Sequence, residues 1–195
     1  AYFGAKVLHP KTILPAMNKN IPVKVLNLFN LKSKGTTILN KVPKSEKTAV
    51  GIAYKNNVAL INVESTRMID ASGFMAMFFD IFDKYGKSID IISTSIVSVS
   101  LTIDNEENLE NILEDLKEIA NVEVLKNKAI ICLVGEGMRK TPGIAGRTFT
   151  ALGKNNINVE MISQGASEIN ITFIVDGKDA DKAVKVLHKE YFKLW

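Results

Sequence analysis

The chain has 195 residues, 46% of them hydrophobic and 24% charged, enough for one large or two small globular domains. Its 25 basic and 21 acidic side chains leave a net charge of +4, and the lysines are scattered among acids, which describes a solvated surface and excludes a nucleic-acid patch. A single cysteine, Cys132 in "AIICLV", excludes a disulfide framework and fits a reducing cytoplasm, and no apolar run is long enough to span a membrane.

Residues 1–46 differ from the rest. "AYFGAKVLHPKTILPAMNKN" carries two short helical patterns broken at Pro10, followed by a strand-like "IPVKVLN" and the polar "LKSKGTTI". The chain opens in mid-pattern and without Met, which reads as a piece of something longer. The charged, Pro-containing "NKVPKSEKT" (40–48) reads as a linker. After it, "AVGIAYK" and "VALINVES" are predicted strands separated by the turn-forming pair Asn56–Asn57. Residues 71–85 predict a helix with Phe74, Phe78, Ile81 and Phe82 on one stripe. "SIDIIS" and "VSVSLTI" follow as strands, then "NEENLENILEDLKEIA" as an acidic amphipathic helix with Leu109, Ile112, Leu113 and Leu116 on one face. "VEVL" closes a β-α-β-β-α-β unit. The order then repeats: "AIICLVG" is a strand, "TPGIAGRTFTALGKNN" a helix, "NVEMIS" and "EINITFIV" strands, and "DADKAVKVLHKEYF" a helix.

The two units overlay residue on residue. At an offset of 70, Gly73 falls on Gly143, Ile89 on Val159, Asp90 on Glu160, Ile92 on Ile162 and Ser93 on Ser163. At an offset of 72, Ser95 falls on Ser167, Val97 on Ile169, Val99 on Ile171, Leu101 on Phe173 and Asp104 on Asp176. Matches of Gly, Ser and acids in order mark an internal duplication. The unit itself predicts a ferredoxin-like α+β sandwich, with both helices on one face of an antiparallel sheet. Its other face is left to solvent, a partner or the second copy, with a groove between copies.

The first helix of each unit starts at a Gly-containing turn, "DASGF" or "KTPGIAG", with Thr141 the expected N-cap and Pro142 the first helical residue of the second. Backbone N–H groups at such a start suit a carboxylate. Across from them, Asp90 or Glu160 suits an ammonium, beside the hydroxyls of Ser93, Thr94 and Ser95. A free amino acid needs that combination, although plain capping and solvated polar strand ends would leave the same pattern.

Gly73 to Asp104, "GFMAMFFDIFDKYGKSIDIISTSIVSVSLTID", resembles the first ACT domain of the aspartokinases. "TPGIAGRTFTAL…INVEMISQGASEINITFIV" resembles their second ACT domain, and "YFGAKVLHPKTILPAMNKNIPVKVLN…KGTTI" (Tyr2 to Ile38) the last part of their kinase domain. The resemblance implies two ferredoxin-like ACT units preceded by the C-terminal remnant of an amino-acid-kinase α/β domain. It assigns 1–46 to the end of the kinase domain plus linker, 57–125 to the first ACT unit, and 47–56 with 126–195 to the second. The parent enzyme would phosphorylate the side-chain carboxylate of L-aspartate, giving 4-phospho-L-aspartate, with ATP and Mg²⁺. This part of it would regulate, holding no catalytic residue and no metal of its own. Carried over by position, the effector site is Met68, Ala71, Gly73, Phe74, Met75, Ile89, Asp90 and Ser95, with the carboxylate on N–H groups near Phe74 and Met75 and an ammonium on Asp90. Lys6 and Val7 match positions near the parent's nucleotide. Two cytoplasmic chains would pair through their first ACT units and trap the amino acid between them.

Two departures bear on the effector. Ile96 stands where the family often has Glu, an acid the second unit keeps as Glu168, and Asp70 stands where some members have His. Asp90 with Asp70 nearby favours lysine over threonine. Three other readings compete. A stand-alone ACT sensor subunit is opposed by the kinase-like Tyr2 to Ile38. An RNA-binding module of the same element order would need stacking aromatics on its central strands. A metal enzyme would need more than His9 and His188, which lie far apart in sequence.

Overall fold

His9 opens the first element. Its Nδ1 accepts the Lys11 N–H at 3.2 Å and caps α1 (Pro10–Asn18), so Pro10 starts a helix where the sequence suggested a break. In the first helical turn the missing proline N–H costs nothing, and the fixed φ helps. A two-stranded hairpin follows, β1 (Val23–Val25) against β2 (Thr36–Ile38), with Val23 opposite Ile38. The computed structural model describes residues 8–40, 48–69, 72–104, 106–165 and 169–192.

Two long strands organise the rest. β3 (Gly51–Glu64) and β6 (Asn121–Val134) each run 14 residues and pair antiparallel, from Gly51 opposite Val134 to Glu64 opposite Asn121. With β4 (Ile91–Thr94), β5 (Ser98–Ile103), β7 (Met161–Ser163) and β8 (Asn170–Asp176) they form a six-stranded sheet in the order β4-β5-β3-β6-β8-β7. The helices are α2 (Phe74–Lys84), α3 (Leu109–Lys117), α4 (Ile144–Lys154) and α5 (Ala180–Phe192).

The Asn56–Asn57 pair does not close a hairpin. It lies inside β3, where the register shifts between Lys55 and Val58 and again before Leu60. Asn57 takes φ 58°, and Asn127, at the corresponding place in β6, takes φ 55°. Asparagine tolerates this left-handed conformation better than other residues with a Cβ. A turn would have needed the two halves of β3 to pair with each other. Each half instead pairs with a half of β6, and the irregularity only swaps which alternate residues face the helices. In β6, Val122 and Val124 pack with α2 and α3, whereas past Asn127 it is Ala129, Ile131 and Leu133 that pack with α4 and α5.

Each half of the β3–β6 pair thus serves one unit. The first has β4, β5, the end of β3 and the start of β6. Its core joins Phe74, Phe78 and Phe82 of α2 and Leu109, Ile112 and Leu116 of α3 to Ala59, Ile61, Val63, Val99, Leu101 and Ile103. The second has β7, β8, the end of β6 and residues 51–55 of β3, so its fourth strand comes from ahead of the first unit. Its core joins Ile144 and Leu152 of α4 and Ala183 and Leu187 of α5 to Ile131, Leu133, Ile171, Phe173 and Val175.

The helix-free faces cover each other. Val58 and Leu60 of one unit pack with Ile130, Met161 and Ile174 of the other, flanked by Ile91 and Leu125. The outer strands β4 and β7 meet as well, where Ser163 Oγ donates to the Ile92 carbonyl at 3.1 Å. Burying each such aliphatic side chain is worth about 1.5–3 kcal/mol over leaving it exposed. Among the described residues no helix is long and apolar enough to cross a membrane.

Candidate functional site

The start of α2 is built by Gly73, whose φ of 95° is left-handed and strained for any residue with a Cβ. Gly73 offers no side chain to cap this helix, and among the described residues none takes its place, so its first N–H groups depend on other partners. α4 begins the same way after Gly143 at φ 80°. Thr141 is therefore not its N-cap: the Thr141 hydroxyl donates to the Gly137 carbonyl at 2.7 Å, closing the preceding turn. Around the α2 start, Met68, Phe74 and Met75 pack into the core of the first unit, and Ile89 joins the same core from beyond the other end of α2, just ahead of β4. Ser95 lies at the β4–β5 turn, where its Oγ shares a 2.7 Å hydrogen bond with Ser98 Oγ and accepts the Ser98 N–H at 3.1 Å. Ile96, at the tip of this turn, is 78% exposed. Ala71, Asp70, Lys6, Val7, Ser167 and Glu168 lie outside the described residues.

The acid is where geometry and expectation part. Asp90 was expected to accept an effector's ammonium, but its side chain is only 2% exposed and Lys55 Nζ lies 3.2 Å from its Oδ2. The same ammonium lies 2.6 Å from Oδ2 of Asp104, which is 46% exposed. In this structure the acceptor is thus occupied by a cation of the chain itself. Burial works against the Lys55 charge, yet its hydrogen bonds to Asp104 and Asp90 outweigh that and hold its pKa above the ordinary lysine value. The bond from Lys55 likewise holds the Asp104 carboxyl below the usual carboxylate range.

The second unit repeats the arrangement. Lys128 Nζ lies 2.8 Å from Glu160 Oε1 and 3.5 Å from Asp176 Oδ2, and the Glu160 bond raises the Lys128 pKa. The acids of both clusters were matched in the sequence overlay, but the lysines were not. Lys128 is the ladder partner of Val58, whereas Lys55 is that of Ile130 across the register shift, so the offsets of 70 and 72 that match the acids do not match the lysines.

A cavity of 440 Å³ lies at the other end of β3 from Lys55 and contains none of the expected residues. It opens between the turn after β3 and the end of α3, lined by Glu64, Arg67, Val97, Lys117 and Glu118 among others. Its charges are evenly mixed and it is open to solvent, so no ligand chemistry follows from it.

Comparison with known proteins resolves the fold's relationship. An ACT domain family matches residues 131–191. A solved C-terminal regulatory domain of aspartate kinase from Porphyromonas gingivalis W83 is 37% identical with a TM-score of 0.64, and the match covers 73% of this chain and 96% of that one. The chain belongs to the aspartokinase family.

Among aspartokinases, the chloroplastic aspartokinase 1 of Arabidopsis thaliana is 41% identical over 202 residues, covering 99% of this chain and 35% of that protein. The aspartate kinase of Clostridium acetobutylicum matches with a TM-score of 0.89 and 36% identity, over 97% of this chain and 46% of its own. Escherichia coli aspartokinase III, solved in complex with lysine and aspartate, matches with a TM-score of 0.83 and 36% identity, over 98% of this chain and 44% of its own. The chain thus spans about a third to a half of the aspartokinases it matches, and the part it spans is the regulatory one.

Proposed function

We propose that this chain senses an amino acid for an enzyme that phosphorylates L-aspartate with ATP and Mg²⁺, and that binding in the first unit inhibits that enzyme. The observation that carries the reading is the left-handed start of α2 at Gly73, where Met68, Phe74 and Met75 pack against the core of the first unit. The effector's carboxylate takes the N–H groups of Phe74 and Met75, and its ammonium goes to the neighbourhood of Ile89, Asp90 and Ser95. Ala71 is assigned to the same site by its position in the sequence, and Lys6 and Val7 likewise to the nucleotide end of the parent. Two chains pair through their first units, and the ligand shifts the enzyme only by binding its two states with different affinity.

Lysine is the preferred effector, supported by the acid at Asp90 and by the lysine bound to the similar E. coli enzyme. One observation favours threonine as the second reading. Lys55 already neutralises Asp90, which suits a ligand with no second ammonium.

Isothermal titration of the chain with L-lysine and L-threonine, with sedimentation velocity alongside, tests the reading. Heat with lysine and a ligand-stabilised dimer is the expected result. Heat with threonine alone transfers the site to the second reading, and heat with neither rejects both.

A further inference from the structure

We propose that Lys55 is a displaceable internal cation. It holds Asp90 while the first unit is empty, and the ammonium of an entering amino acid takes its place there while Lys55 remains on Asp104. The proposal rests on the reading of the first unit as the amino-acid site and adds how that site is gated.

Three observations carry it. First, Lys55 leans outward: its ammonium is 2.6 Å from the half-exposed Asp104 and 3.2 Å from the covered Asp90. The bond that must break is the longer one, and the lysine has a solvated acid to fall back on. Second, the equivalent cluster leans the other way. Lys128 is 2.8 Å from the inner Glu160 and 3.5 Å from the outer Asp176, so it is held at the position that Lys55 is set to leave. Third, Lys55 sits at the register shift where β3 passes from one unit to the other, opposite Ile130 of the shared core. Its movement is therefore felt at the crossing that joins the units.

The exchange is economical in charge. Removing a cation from a buried carboxylate leaves an uncompensated charge, which is strongly unfavourable. Replacing one ammonium with another avoids that penalty, and Lys55 never loses its second partner. Affinity is then set by competition between two ammonium groups. The second unit, with its lysine held inward, keeps its own cation, so each chain takes one amino acid.

The test is titration of L-lysine and L-threonine at pH 8 into the wild-type chain, Lys55→Met and Asp104→Asn. Without the competing ammonium, Lys55→Met binds about tenfold more tightly, the equivalent of one charged hydrogen bond. Asp104→Asn binds more weakly, because Lys55 has lost its fallback and stays on Asp90. A purely structural role for Lys55 would weaken binding in both variants, so the opposite signs identify exchange. Equal or weaker binding by Lys55→Met overturns the proposal. Should that variant not fold, Lys55→Gln replaces it, and equal or weaker binding by Lys55→Gln overturns the proposal, as does wild-type affinity in Asp104→Asn. A wild-type chain that binds neither amino acid removes the site itself. Wild-type binding with an unmoved Lys55→Met removes only the exchange.

Discussion

Lys55 and Lys128 each bridge two carboxylates, but with opposite bias: Lys55 lies closer to the outer acid of its pair and Lys128 closer to the inner one. The inner pair of the second unit is well covered, Lys128 being 11% and Glu160 19% exposed, and Glu160 Oε2 has no hydrogen-bond partner among the described residues. Lys128→Met would leave that carboxylate without its cation and should cost about 2–3 kcal/mol. A urea denaturation midpoint that does not fall would contradict this.

The Lys55 cluster makes stability depend on pH at both extremes. The folded pKa of Asp104 lies below its unfolded value, so its contribution is present above about pH 3.9 and is lost as pH falls through the folded value. The folded pKa of Lys55 is raised, so its contribution is complete below about pH 10.4 and is lost as pH rises through the folded value. Asp104→Asn should therefore flatten the acid limb of a melting-temperature profile between about pH 5 and 2. An acid limb identical to wild type would rule Asp104 out as a contributor.

Much of this was legible before any coordinates. Phe74, Phe78 and Phe82 recur every four residues and do form the buried face of α2. The overlay of Gly73 on Gly143 anticipated two helices that start from the same left-handed residue. What stayed hidden was non-local. Nothing near Asn57 in sequence says that β6 will run alongside, and without that partner an Asn pair between apolar runs reads as a turn. The occupant of Asp90 was hidden for the same reason, since Lys55 lies 35 positions away and reaches the acid only because β3 crosses between units.

The two helix-start glycines separate strain from function. Among the described residues, chain neighbours aside, neither has an atom within 4 Å of where a Cβ would stand, so an alanine there meets backbone strain and no clash. Gly143→Ala should cost about 1–2 kcal/mol and leave amino-acid affinity unchanged. Gly73→Ala should cost as much and also weaken binding, because it moves the N–H groups of the proposed carboxylate site. Equal affinities for the two variants in calorimetric titration would take Gly73 out of the site.

The shared strands and the joint core predict one unfolding event. Ile130 is fully buried where the two units meet, and Ile130→Ala should cost about 2–5 kcal/mol. Both units should still melt together, with calorimetric and van't Hoff enthalpies in agreement. Two resolved transitions, in wild type or variant, would show that the units are thermodynamically separate.

The route of β3 also sets the order in which the fold can be made. By Leu125 the ribosome has supplied all four strands of the first unit, yet residues 51–55, made earlier, still lack their ladder partners at 130–134. A nascent chain holds that strand open as a bare edge until the second unit is synthesised, and bare edges invite pairing with other chains. Cutting the protein is equally asymmetric. A piece ending near 125 keeps every strand of the first unit, while a piece beginning at 126 loses residues 51–55 and leaves one side of β6 uncovered.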